Sequence, residues 1–143
     1  MKVLVQSFSF KRTGYPVDKT GKGGGFVFDC RAIDAFDYTL RNSLMAPPYW
    51  FDFTGRDLEV SVPLDKDIET QEFFRAALTM VNLDIMKCLR ANIQIMTVNF
   101  GCTAGRHRSV YLAERLSAEI KSAFPQVDVE LVHLEQSHWP KKS

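Results

Sequence analysis

Hydrophobic and polar positions fall into clear blocks along the chain. Val3–Phe8 is a β-branched and apolar run that predicts a first strand. Lys11–Gly25 holds Gly14, Pro16, Gly21, Gly23, Gly24 and Gly25, which predicts a loop, flexible over 12–25 because consecutive glycines have little conformational preference. Phe26–Phe28 predicts a short buried strand ending in charge at Asp29 and Arg31. From Ile68 to Leu89 the apolar positions Phe74, Ala77/Leu78, Val81, Ile85 and Leu89 recur at helical spacing, with Asn92 as the expected stop. Ile93–Phe100 reads as a strand. Val110, Ala113, Leu116 and Ile120 mark one face of a helix stopping near Pro125, and Val127–Leu134 alternates as a last strand. Residues 32–66 resist the method: Pro47, Pro48 and Pro63 break any long element, and Tyr49, Trp50, Phe51 and Phe53 read as core under a proline-bounded loop.

Strands alternating with helices predict an α/β fold, a mostly parallel or mixed sheet with helices packed on its faces. At 143 residues the chain fits one domain, 1–143, with a short tail over 137–143. A composition of 45% hydrophobic and 24% charged residues excludes intrinsic disorder. No stretch approaches the roughly 20 apolar residues of a membrane span. Cys30, Cys88 and Cys102 make an odd count without CxxC spacing, against a disulfide framework or a zinc site. The first residues lack the apolar block and cleavage site of a secretory signal. A reducing, cytoplasmic setting is expected, with no membrane contact, no metal and no cofactor. His133 and His138 lack metal-ligand spacing and are expected at the surface.

The net charge of +1 conceals an asymmetry. Residues 1–28 carry Lys2, Lys11, Arg12, Lys19 and Lys22 against Asp18 alone, whereas residues 52–75 are strongly acidic. A basic face of this kind suits an anion or a nucleic acid.

Gly101-Cys-Thr-Ala-Gly-Arg-His-Arg-Ser109 joins a strand directly to a helix. The first backbone N–H groups of such a helix have no intrahelical partners and the helix dipole is positive there. Two glycines let the chain curl, and Arg106, His107 and Arg108 supply donors, Arg108 being able to grip a phosphate through two charge-assisted hydrogen bonds. Cys102, Thr103, Ala104, Gly105, Arg106, His107, Arg108 and Ser109 are thus the candidate cradle for a phosphate. His107 is expected to hydrogen-bond rather than transfer protons. Lys11, Asp29, Arg31 and Asp57 follow strand ends or sit in loops, where an open sheet builds its ligand crevice. For Asp29 and Arg31 a simple ion pair is the competing reading.

Two families resemble this loop. Cys102-Thr-Ala-Gly-Arg-His-Arg108-Ser109 looks like the phosphate loop of cysteine-dependent protein tyrosine phosphatases. That resemblance implies Cys102 as nucleophile, Arg108 as phosphate clamp and Ser109 as helper of the leaving thiolate, with Asp29, Asp52 or Asp57 as candidate general acids. The second resemblance covers far more of the chain. Gly101–Val110 is similar to the GCTGGxHRSV signature of the carboxy-terminal domain of the RNase adapter protein RapZ family. Ser7–Lys11 resembles that family's SFGFK, Phe26–Arg31 its FVFDVR, Thr54–Asp57 its TGLD and Tyr111–Glu114 its YIAE, in matching order from near residue 4 to near residue 136.

The resemblance implies an α/β domain acting as a regulatory module that binds a phosphorylated amino sugar and, in its best-known members, small regulatory RNA. It makes a homo-oligomer plausible. Lys11, Asp29, Arg31, Arg56 and Asp57 are then expected to close round the sugar phosphate, and Lys2, Arg12, Lys19, Lys22 and Arg115 to meet RNA. Those members also carry a nucleotide-binding P-loop domain, whose GxxxxGK[ST] is absent here, so ATP-dependent functions are not carried over. The chain departs from the family pattern at Ser9, where the family has glycine, at Arg12-Thr13, which lengthens a turn, and at the inserted stretch Asp18–Gly25. It departs again at Arg56, where leucine is usual, and in the tail, thinned to Lys141-Lys142.

Overall fold

The structure, a computed structural model, describes residues 1–18, 20–21, 25–37 and 52–140. Lys19, Lys22, Gly23, Gly24, Pro47, Pro48, Tyr49, Trp50, Phe51, Lys141 and Lys142 lie outside these, and so do the readings made on them.

Strand β1 (Lys2–Ser9) is followed by β2 (Phe26–Asp29) and a 3-10 turn at Cys30–Ala32. Helices α1 (Leu58–Lys66) and α2 (Ile68–Arg90) lead to β3 (Ile95–Cys102), α3 (Arg108–Ala123), β4 (Asp128–His133) and a second 3-10 turn at Gln136–His138. The sheet is parallel throughout, in the order β2-β3-β1-β4. The α/β expectation holds. Among the described residues the helices pack on one face, against Val3, Val5, Met96, Val98 and Phe100. The other face is covered by the chain after β1: Pro16 and Val17 lie against Leu4, Gln6, Thr97 and Asn99, and Tyr15 joins Phe8 and Phe10 in an aromatic cluster.

Local chemistry explains the boundaries. β1 is central, paired on both sides, and reads as a continuous buried run, as interior parallel strands do. β2 was expected to be buried, but among the described residues it is an edge strand pairing only with β3, and Val27 is 42% exposed. Asp67 caps α2 by accepting from the Thr70 N–H at 3.0 Å. Asn92 ends it as expected: its φ is 56° and the Ile93 N–H returns to the Cys88 carbonyl at 2.9 Å.

Helix α1 has no counterpart in the sequence reading, which took Pro63 as a breaker. Pro63 lies inside it, and the carbonyl it leaves unpaired belongs to Glu59, an exposed residue whose backbone water can reach. Val60 and Leu64, one turn apart, are fully buried and hold α1 to the core. His133 is also a correction. It is 8% exposed, because β4 is the edge strand whose core-facing side lies under α3. No helix among the described residues is long and apolar enough to cross a membrane.

Candidate functional site

The parallel sheet brings the carboxyl ends of its strands to one edge, and β3 runs from there through 103–107 into α3. The two glycines do different work. Gly101 lies within β3, where a Cβ would come 2.4 Å from the Phe8 ring and 2.6 Å from that of Phe10. It serves packing on the far face. Gly105 makes the curl, at φ +65°.

Helix α3 starts without a side-chain cap at His107 and without an acidic residue in its first turn. Neither a capping side chain nor a carboxylate of its own first turn therefore neutralises its leading N–H groups. At the foot of the loop Cys102 Sγ lies 3.0 Å from Ser109 Oγ. Arg108 is 2% exposed, donates from Nη1 to the Ile33 carbonyl at 2.6 Å and faces Asp37 at 3.6 Å. Its Nε has no hydrogen-bond partner among the described residues. Burial lowers the Arg106 guanidinium below its ordinary value, and the nearby charge of Arg12 lowers it further. Two like charges thus meet at the loop mouth.

Three neighbouring segments brace the loop. After β1, the Ser9 hydroxyl donates to the Thr103 carbonyl at 2.6 Å and accepts from the Lys11 and Arg12 N–H groups. The Phe10 N–H donates to the Cys102 carbonyl at 3.0 Å. The turn 54–57 docks through the Gly55 N–H, which donates to the Arg106 carbonyl at 2.8 Å, while His107 Nε2 donates to the Phe53 carbonyl at 2.8 Å. From the carboxy-terminal side, the Trp139 indole donates to the Gly105 carbonyl at 3.1 Å. Between these braces lies a cavity of about 20 Å³ lined by Phe36, Cys102, Thr103, Ala104, Arg106, His107 and Arg108. That volume holds about one water molecule.

The residues expected outside the loop fall into different places. Lys11 and Arg12 are exposed beside it. Asp29 and Arg31 pair with each other through two contacts, at 2.8 and 2.6 Å, and the Arg31 guanidinium holds the Asp29 carboxyl below its ordinary value. Asp57 accepts from the Thr54 N–H at 2.7 Å and closes its own turn. Arg56 pairs with Glu114 at 2.8 Å. Lys2 stands at the opposite end of β1, paired with Glu130. Arg115 bonds to Gln71 and lies 3.9 Å over the Phe74 ring, within the helix layer.

Sequence reasoning did not single out Ser9 as a brace, nor Phe36, Asp37, Glu135 and Trp139. For Ser9 the signal was present, as a departure from the family glycine. Phe36 has a φ of 60°, a strained state for a bulky residue and one that clusters at functional sites.

A family model described as the RapZ C-terminal domain matches residues 1–137. The chain belongs to the RapZ C-terminal domain family. A nucleotide-binding protein of Thioalkalivibrio sulfidiphilus is 39% identical over 126 residues, 85% of this chain and 37% of that protein. One from Azotobacter vinelandii is 33% identical over 130 residues, 88% of this chain and 39% of its own length. One from Acinetobacter baumannii is 30% identical over 139 residues, 96% of this chain and 42% of its own length. The chain therefore spans about two-fifths of these relatives. Each of these relatives is more than twice as long as this chain.

Proposed function

We propose that this RapZ-family domain is a regulatory module whose loop Cys102–Ser109 holds the phosphate of a phosphorylated amino sugar. The observation that carries the reading is a buried guanidinium, Arg108, with Nε unpartnered among the described residues, set in the first turn of a helix without a side-chain cap. Each is costly alone, and one anion relieves both. Arg12 and Arg106 at the mouth repel one another and would be drawn together by the same charge. The cavity is smaller than a phosphate, so the guest must displace Phe36 outward or draw Arg108 from Asp37. RNA, if bound, would meet the same arginine pair. On single-stranded RNA the log affinity should then fall with log salt by about 0.7 per phosphate neutralised, and salt-insensitive binding would exclude this contact.

Calorimetric titration with glucosamine-6-phosphate tests the proposal, against inorganic phosphate and glucosamine. Arg106→Ala is the cleaner variant, because Arg108 also anchors Ile33. Binding should need both the sugar and the phosphate and weaken by about tenfold in Arg106→Ala. Affinity no better than that for phosphate alone would reduce the loop to a general anion cradle.

A second reading, a cysteine-dependent phosphatase, is favoured by the 3.0 Å approach of Ser109 to Cys102. None of the three general acids expected from the sequence is poised for it: Asp29 is tied to Arg31, Asp57 to Thr54, and Asp52 is exposed. Phosphate-ester turnover abolished by Cys102→Ser would establish it. Ligand affinity kept by that variant, with no turnover in wild type, supports the binding module.

A further inference from the structure

Cys30 and Cys102 each follow one residue of the last paired couple of β2 and β3. The register of β2 and β3 sets Phe28 opposite Phe100 and ends with Asp29 opposite Gly101. Asp29 is still extended (φ −87°, ψ 98°), so Cys30, the first residue of the 3-10 turn, leaves the sheet beside Cys102, the next residue of β3. Neighbouring strands lie about 4.8 Å apart, inside the Cα separation of roughly 4.4–6.8 Å that a disulfide spans. The Phe28 and Phe100 rings stack at 5.3 Å, and Cys30 and Cys102 are buried in the same core cluster, where neither is bonded to another cysteine. The two sulfurs are also close enough to interact electrostatically: burial pushes the Cys30 thiol well up, and Cys102 pushes it further. Cys30 stands where the family segment that Phe26–Arg31 resembles has valine, so the pair is a feature of this chain.

We propose that Cys102 and Cys30 are an oxidative modification site that closes to a reversible disulfide when the loop meets a hydroperoxide. Cys102 lines the water-sized cavity together with Arg106 and Arg108, and that cavity is the way in for a small peroxide. The Cys102 sulfur attacks one peroxide oxygen. An S–O bond forms as the O–O bond breaks, and the departing oxygen takes the thiol proton and leaves as water when the oxidant is hydrogen peroxide. Cys102 is then a sulfenic acid. The Cys30 sulfur attacks the Cys102 sulfur, forming S–S as S–O breaks, and the departing hydroxide leaves as water with the Cys30 proton. Two thiols and one hydrogen peroxide give one disulfide and two waters. Closure draws Cys102 away from Ser109 and alters the floor of the loop.

The test treats the purified chain with hydrogen peroxide, counts free thiols and maps peptides by mass spectrometry without reduction. Thiols should fall from the three present to Cys88 alone, the linked peptide should join Cys30 to Cys102, and dithiothreitol should restore all of them. In Cys30→Val, Cys102 should pass on to the sulfinic acid, which dithiothreitol does not reverse. The proposal is overturned if wild type keeps every thiol under peroxide, links Cys88 instead, or accumulates Cys102 sulfinic acid as fast as Cys30→Val does. The wild-type map decides even if the variant folds poorly.

Discussion

The sulfur of Cys102 lies 3.0 Å from the hydroxyl oxygen of Ser109, tying the last residue of β3 to the second residue of α3 beneath the loop. Both are buried. Ser109→Ala removes that contact without adding bulk and should lower stability by about 1 kcal/mol. The readout is a lower urea midpoint at unchanged slope, and a wild-type midpoint would show that the contact does not hold the loop closed.

Gly105 is fixed by space as well as by its backbone. At φ +65° an added Cβ would lie 2.8 Å from the Glu135 Cγ and 3.0 Å from the Phe8 carbonyl carbon. Gly105→Ala should cost about 2 kcal/mol by urea denaturation. The same variant should lose the proposed sugar-phosphate binding through displacement of the loop, so retained stability and affinity together contradict the packing described.

Glu135 is 1% exposed, and neither carboxylate oxygen has a hydrogen-bond partner among the described residues. His138 Nε2 lies 4.0 Å from its Oε2. An isosteric neutral side chain avoids the desolvation of a charge, so Glu135→Gln should raise stability by about 1 kcal/mol at neutral pH. A fall on chemical denaturation would reveal a donor to the carboxylate.

Stability should depend on pH through His133. Its Nδ1 lies 2.6 Å from Ser7 Oγ and its Nε2 2.9 Å from Glu114. Burial lowers its imidazole below the ordinary 6.5, against the opposing pull of Glu114, while Arg56 lowers it further. The unfolded chain therefore takes up the proton first. The contribution of neutral His133 is complete above pH 6.5 and is lost as pH falls from there through the folded value. Urea midpoints taken across that window should fall less steeply for His133→Gln than for wild type. Parallel slopes would assign the titration to another group.

Much of this architecture is legible in the chain itself. The runs Val3–Phe8 and Ile93–Phe100 and the spacing of Phe74, Val81 and Ile85 specify strands and a helix, because side-chain burial imposes periods of two and about 3.6 on the sequence. The loop Gly101–Ser109 stands out in the sequence by its donors and its place before a helix. Helix α1 was hidden because Pro63 carries the usual mark of a breaker, and only the exposure of Glu59 makes it tolerable.

Which side chains meet was decided by tertiary structure. Sequence named Asp29, Arg31, Arg56 and Arg115 as ligand or RNA contacts, and folding gave each of them a protein partner. It placed His133 at the surface, where pairing of β4 beside β1 buries it. The sequence by itself determined the family, the α/β elements and the polar loop, since local periodicity and composition encode these. Parallel strand register, set by residues roughly 70 to 130 positions apart, decided that Ser7 meets His133 and that Asp29, the residue before Cys30, comes opposite Gly101, the residue before Cys102. Such pairings arise from the closing of a whole core, and no short stretch of chain contains them.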